Sequence, residues 1–162
     1  MATQKLQPTR ALVVIPSENA DIPNPNTYTT TGTNTFAISA NLVDSSANFI
    51  ANNVTVGDIV YNNTDGTAAT VVSVVSSQSL QLNAAIFTAT GKTYTIYAMS
   101  PQSGIGSEGS VLYIGTGGNI KVLTSGNDIV TFVNIQNGTF FPINVLKVFS
   151  VGTSALNIIA LW

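Results

Sequence analysis

Seven carboxylates make up the acid chemistry of this chain: Glu18, Asp21, Asp44, Asp58, Asp65, Glu108 and Asp128. Two carboxylates facing each other across a cleft could hydrolyse a glycosidic bond. Glu18 and Asp21 share a proline-rich loop, however, and Asp58 and Asp65 flank "IVYNNT", which reads as a strand entering a hairpin turn. Asp is a turn and cap former. That chemistry accounts for Asp65 as a turn residue, Asp58 as a strand opener and Asp44 as a cap. The chain has no histidine and no cysteine. The commonest general base and the thiolate nucleophile are therefore both missing. No serine has a base partner, and no S-x-x-K pair occurs.

The stretch "YIGTGGNIKVLTSGNDIVTF", Tyr113–Phe132, raises phosphate binding, because it combines four glycines with Lys121. A P-loop needs two glycines five apart followed by Lys and then Ser or Thr. Lys121 instead lies three residues after Gly118 and precedes Val122. "NIKVLT" alternates like a strand, where a dinucleotide fingerprint needs a helix. Gly115, Gly117 and Gly118 therefore read as turn residues of a β-hairpin. "NNTDG", Asn62–Gly66, offers oxygen ligands for calcium but lacks the spacing of an EF-hand loop. No catalytic residue, no metal and no cofactor is expected.

The elements that carry these residues are strands. Only 7% of residues are charged against about 25% in an ordinary domain, and Ser, Thr and Asn fill the gap. Val, Ile, Thr, Tyr and Phe abound, which suits a pleated, half-buried surface and argues against disorder. "RALVVIP", Arg10–Pro16, is a candidate buried strand after a polar arm over residues 1–9. Pro16, Pro23 and Pro25 keep the next stretch extended. Leu42–Ala51 is the one helical candidate, with Asp44 or Ser45 as cap. "GDIVY", "TAATVVSVVS", "SLQLN" and "KTYTIYA" read as strands of a compact middle unit, with "NNTDG" and "TATGK" as corners. A Ser/Gly linker, Ser100–Ser110, follows. Then come "VLYIG", "NIKVLT", "DIVTFVNI", "NVLKVFSVG" and "NIIALW", spaced as in an all-β sandwich or barrel.

The net charge is −2, and the cations Lys5, Arg10, Lys92, Lys121 and Lys147 are scattered. No basic stripe points to nucleic acid or to an anionic membrane. No run approaches the roughly 18 apolar residues of a membrane span, and Ala11–Ile15 is too short for a signal-peptide core. The chain reads as soluble and made without a leader. Tyr28, Tyr61, Tyr94, Tyr97 and Tyr113 read as half-buried strand residues, with a carbohydrate-stacking platform as the alternative. A surface this poor in charge is poorly defended against self-association. It reads as a surface to be covered, by copies of itself or by a partner.

Two outer segments carry a resemblance. "PTRALVVIPSENADIP" (Pro8–Pro23) and the stretch Gly109–Trp162 are similar to the capsid spike-base and head-decoration family of tailed bacteriophages and gene transfer agents. The matching features are the Pro16–Glu18 step, "LYIGTGGNIKV", the "NGTFFPI" corner at Asn137–Ile143 and the "GTSALNIIALW" ending. The resemblance covers about half the chain. It implies a capsid-docking domain, small antiparallel β-sandwich or barrel, over 1–26 plus 100–162. A second β-barrel-like module over 27–99, similar to modules in other phage virion proteins, would be inserted into it.

The implied function is a virion structural protein on the outer capsid surface, a decoration (cement) or spike-base protein rather than an enzyme. The implied partners are itself, as homotrimer or homopentamer, the major capsid protein, and a fibre protein. A host-surface glycan-binding module is the alternative. Candidate interface residues are Phe140, Phe141, Val148, Phe149, Leu161 and Trp162.

Overall fold

The computed structural model describes residues 8–25, 29–99 and 109–162. Lys5, Tyr28, Glu108, most of the expected arm and most of the Ser/Gly linker lie outside these residues. The described residues form thirteen strands and no helix, and every strand pairing is antiparallel. The all-β class expected from composition and spacing is the observed one.

Two sheets divide the strands. The first runs β1(Ala11–Val13), β13(Leu156–Leu161), β9(Ser110–Thr116), β12(Thr139–Val148), β10(Gly118–Thr124), β11(Ile129–Ile135). The second runs β2(Thr29–Thr33), β8(Thr93–Tyr97), β5(Ile59–Asn62), β6(Thr67–Ser76), β7(Ser79–Leu82), β4(Asn41–Val43), β3(Phe36–Ile38). Thr29 pairs with Tyr97, so the chain enters and leaves the second sheet at neighbouring points. That is the geometry that lets a segment sit between two strands of another sheet.

The second sheet curls because its two edges are consecutive in sequence. β2 and β3 stand at opposite ends of the strand order, yet only Asn34 and Thr35 separate them. Asn34 closes the seam. Its side chain donates to the Phe36 and Ala89 carbonyls and accepts from the Lys92 N–H at 2.7 Å. Strand β6 bends to serve this curl, pairing with β5 through Thr70 and with β7 from Val71 on. Two bulges in the β7 half leave Val72 and Val75 as the extra residues, and both are exposed. The interior holds Leu42, Phe49, Val60, Val71, Leu80, Tyr94 and Ile96.

The six-stranded sheet packs one face on a core of Leu112, Ile114, Ile120, Val122, Phe141, Val145, Val148, Ile158 and Ala160. Val14 and Ile22 from the loop after β1 cover that core, with Trp162 against its side. A third cluster joins the two sheets: Leu12 and Ile15 pack on Ala20, Ile59, Tyr61 and Ala68. Polar contacts reinforce it. Ser17 Oγ donates to the Ala68 carbonyl at 2.9 Å, and the Asn19 carbonyl accepts from Thr70 Oγ1 and Asn83 Nδ2.

Four expectations are corrected. Arg10–Pro16 is not a buried strand: β1 is a three-residue edge strand and Val13 is 65% exposed. Leu42–Ala51 is not a helix. Leu42 is committed to the ladder opposite Leu80, and Asp44 caps an isolated turn through the Ser46 N–H. The turns that follow stop at Asn53, whose φ of 55° leaves the helical region.

Gly115, Gly117 and Gly118 make a corner but not a hairpin turn; the hairpin in this stretch is the next one, β10 to β11. β9 and β10 do not pair, because β12 lies between them. Gly117 makes this crossing fit, since a Cβ there would collide with the Ile135 carbonyl. Finally, the "NGTFFPI" corner is confined to Asn137 and Gly138, the turn before β12, and Thr139–Ile143 is the first half of that strand. Pro142 has no N–H to donate, and it sits where the register shifts between Phe141 and Val145. Beyond it Val145 lies opposite both Ser110 of β9 and Thr124 of β10, and the rest of β12 pairs with β10.

Candidate interaction surface

The acids of the described residues are mostly engaged in holding loops. Asp44 is buried, and its carboxylate accepts from Tyr94 Oη at 2.8 Å and from the Ser46 N–H and Oγ. Burial pushes this carboxyl up, but the hydrogen bonds from Tyr94, Ser46 and Thr33 outweigh it and hold the group below the usual carboxylate range. The pair fills the space beside Gly32, where a Cβ would strike the Tyr94 ring. Asp58 is buried and accepts from the Thr55 and Met99 N–H groups. Asp65 is in the β5–β6 turn, bonded to Lys92 at 2.8 Å and to Asn62, and the Lys92 bond leads in holding its carboxyl below the usual range. Asp58 and Asp65 thus have separate structural partners. Among the described residues no group of three acids is placed to hold a metal ion.

The tyrosines of the curled sheet are largely inside. Tyr61 and Tyr94 are buried, and burial raises the hydroxyls of Tyr61, Tyr94 and Tyr97 above their ordinary value. Phe36, on edge strand β3, is the exposed aromatic among the described residues of that sheet.

The six expected interface residues fall into three groups. Phe141 and Val148 are core residues, 6% and 1% exposed. They face inward with Leu112 and Val122, so neither can meet a partner. Phe149 and Trp162 are partly covered by their own chain. Lys121 and Lys147 stand over the Phe149 ring at 5.0 and 5.8 Å, Lys147 also pairs with Asp21, and Trp162 leans on the core. Phe140 and Leu161 belong to a real surface.

That surface follows from register. Residues directly opposite in an antiparallel pair project on the same face. Val13 is opposite Ile159, Ile159 opposite Tyr113, and Tyr113 opposite Phe140. The result is an apolar row crossing four strands on the outer face of the six-stranded sheet. Ala11, Leu161 and Val111 form the next row. Val13, Tyr113 and Phe140 are exposed, and neither row contains a charged residue. A contiguous exposed apolar surface of this kind is a candidate interaction surface.

Sequence reasoning missed Val13, Tyr113 and Ile159. In "SVLYIGT" both alternating sets are apolar, so the pattern could not say which faces out. The signal available was the cross-strand register, and that needs the topology. No family model matches the chain, and no curated protein and no solved structure matches it.

Proposed function

We propose that the chain is a virion structural protein on the exterior of a tailed-phage capsid, a decoration (cement) or spike-base protein. It works by oligomerising and by binding the major capsid protein, without catalysis or cofactor. The observation that carries this reading is the uncharged apolar row Val13–Ile159–Tyr113–Phe140 on the open face of the six-stranded sheet. The resemblance of Pro8–Pro23 and Gly109–Trp162 to that family supports it, since those two segments build this sheet. Many modest contacts repeated over a lattice add up to firm attachment. The curled sheet faces away from the shell or bridges neighbouring copies.

The test is binding to capsids that lack the chain, comparing wild type with Tyr113→Asp and Phe140→Asp. Wild type is expected to saturate the shell, and each variant to bind at least tenfold more weakly. Wild type that never binds capsids would overturn the reading.

A further inference from the structure

Among the described residues, the six-stranded sheet has no partner strand at either edge, β1 or β11. Strand β11 is exposed almost throughout, with Ile129 60% and Val133 62% exposed. It has no Pro and no Lys to guard the edge, and its one irregularity, the bulge at Val133 and Asn134, lies beyond the regular stretch Ile129–Phe132. Among the described residues β1 pairs with β13 alone, and its Val13 is as open as Ile129. We infer that the β11 edge of one copy pairs with the β1 edge of a second copy, continuing the sheet from protomer to protomer.

Three independent features of the two edges agree. The first is direction. Five antiparallel steps separate β1 from β11, so they run oppositely. Copies related by rotation about an axis along the strands would set β11 antiparallel to the next β1. The second is hydrogen-bond phase. Arg10 and Trp162 exchange backbone bonds, and the Val14 N–H bonds the Ile158 carbonyl. Ala11 and Val13 therefore turn their N–H and C=O groups outward. On β11 the Thr124 N–H bonds the Asp128 carbonyl, so Ile129 and Thr131 are the outward residues.

The third is face. Ala11 and Val13 lie on the outer face, and Ile129 lies there too, opposite Leu123, while the next residue pair, Val122 and Val130, faces the core. Pairing Val13 with Ile129 and Ala11 with Thr131 therefore keeps both cores on one side and extends the apolar face across the joint. Val13 and Ile129, among the most exposed large apolar residues, would cover each other. A head-to-tail contact of this kind closes into a ring when the rotation between copies divides a full turn, and a ring is the form the proposed oligomer takes. This names the joint through which the proposed oligomer assembles, and rests on that reading only for the claim that assembly serves a capsid.

The experiment is sedimentation of the full chain in solution, without capsids. Wild type is expected to run as a closed oligomer. Thr131→Pro removes one outward N–H and leaves the bonds to β10, a position where edge strands tolerate proline; it is expected to run as a monomer that keeps the wild-type circular dichroism spectrum and a cooperative melt. As a fold-independent arm, the chain has no cysteine. The pair Val13→Cys with Ile129→Cys is therefore expected to give covalent multimers on mild oxidation, and each single variant none beyond a dimer. A wild type that stays monomeric, or a double variant that forms no chain longer than a dimer, overturns the inference. Either result would leave the capsid-binding test standing on its own.

Discussion

Tyr94→Phe removes one oxygen from the interior of the curled sheet and little else. The Tyr94 hydroxyl donates to a buried carboxylate at 2.8 Å. The Phe variant keeps the ring contacts to Phe49 and Phe87 and leaves Asp44 short of a donor. A hydrogen bond to a charged group contributes about 1.5–3 kcal/mol. For a chain of this size that is a fall of roughly 4–10 °C in melting midpoint.

The effect has a definite pH dependence. The Asp44 carboxyl is held below its ordinary value of 3.8 in the folded state. Its ionised form therefore adds stability that is present above 3.8 and is lost as pH falls through the depressed folded value. Losing the Tyr94 donor raises that folded value, so the variant deficit is full at neutral pH and shrinks below the carboxylate range. The assay is thermal unfolding followed by tyrosine signal, to which Tyr61 and Tyr97 of the curled sheet contribute beside Tyr113, and by Trp162 fluorescence, which reports the six-stranded sheet. An unchanged midpoint at neutral pH, or a deficit that grows as the solution is acidified, would refute the reasoning.

Phe140→Ala and Phe141→Ala, adjacent on β12, are expected to behave as opposites: the first within about 0.5 kcal/mol of wild type, the second about 3–5 kcal/mol less stable, by denaturant titration. Gly117→Ala forces a Cβ against the Ile135 carbonyl and is expected to cost about 1–3 kcal/mol by the same measurement. At high pH, burial holds the Tyr61, Tyr94 and Tyr97 hydroxyls above the ordinary value of 10.0. Their neutral forms add stability that is complete below pH 10 and is lost as pH rises further. Tyrosinate absorbance should therefore show these three ionising together with alkaline unfolding, not along a simple titration.

Much of the strand inventory was legible because side-chain period and turn chemistry agree locally. Thr67–Ser76 is a strand over the expected residues, and "NNTDG" is the turn that follows β5. The strands Thr29–Thr33 and Phe36–Ile38 left little trace, because Thr-rich edge segments with Gly32 show no apolar alternation. Asp44 was legible as a cap but not as the partner of Tyr94, since a contact fifty residues away has no local signature. The β9–β10 corner misled for the same reason. Glycines mark a change of direction, and only the insertion of β12 decides that the two strands do not pair. The interaction surface was half legible: Phe140 and Phe141 look alike in sequence, and the register alone puts one outside and the other in the core.

The central claim is that this chain belongs to the outside of a capsid, and copy number tests it most directly. Capsid particles purified from lysates of cells that express the chain's gene in its native context would be analysed by quantitative mass spectrometry against their major capsid protein. The account predicts either hundreds of copies, spread over the shell as a decoration protein, or about sixty, as pentamers at the vertices. Purified particles that contain none would contradict it.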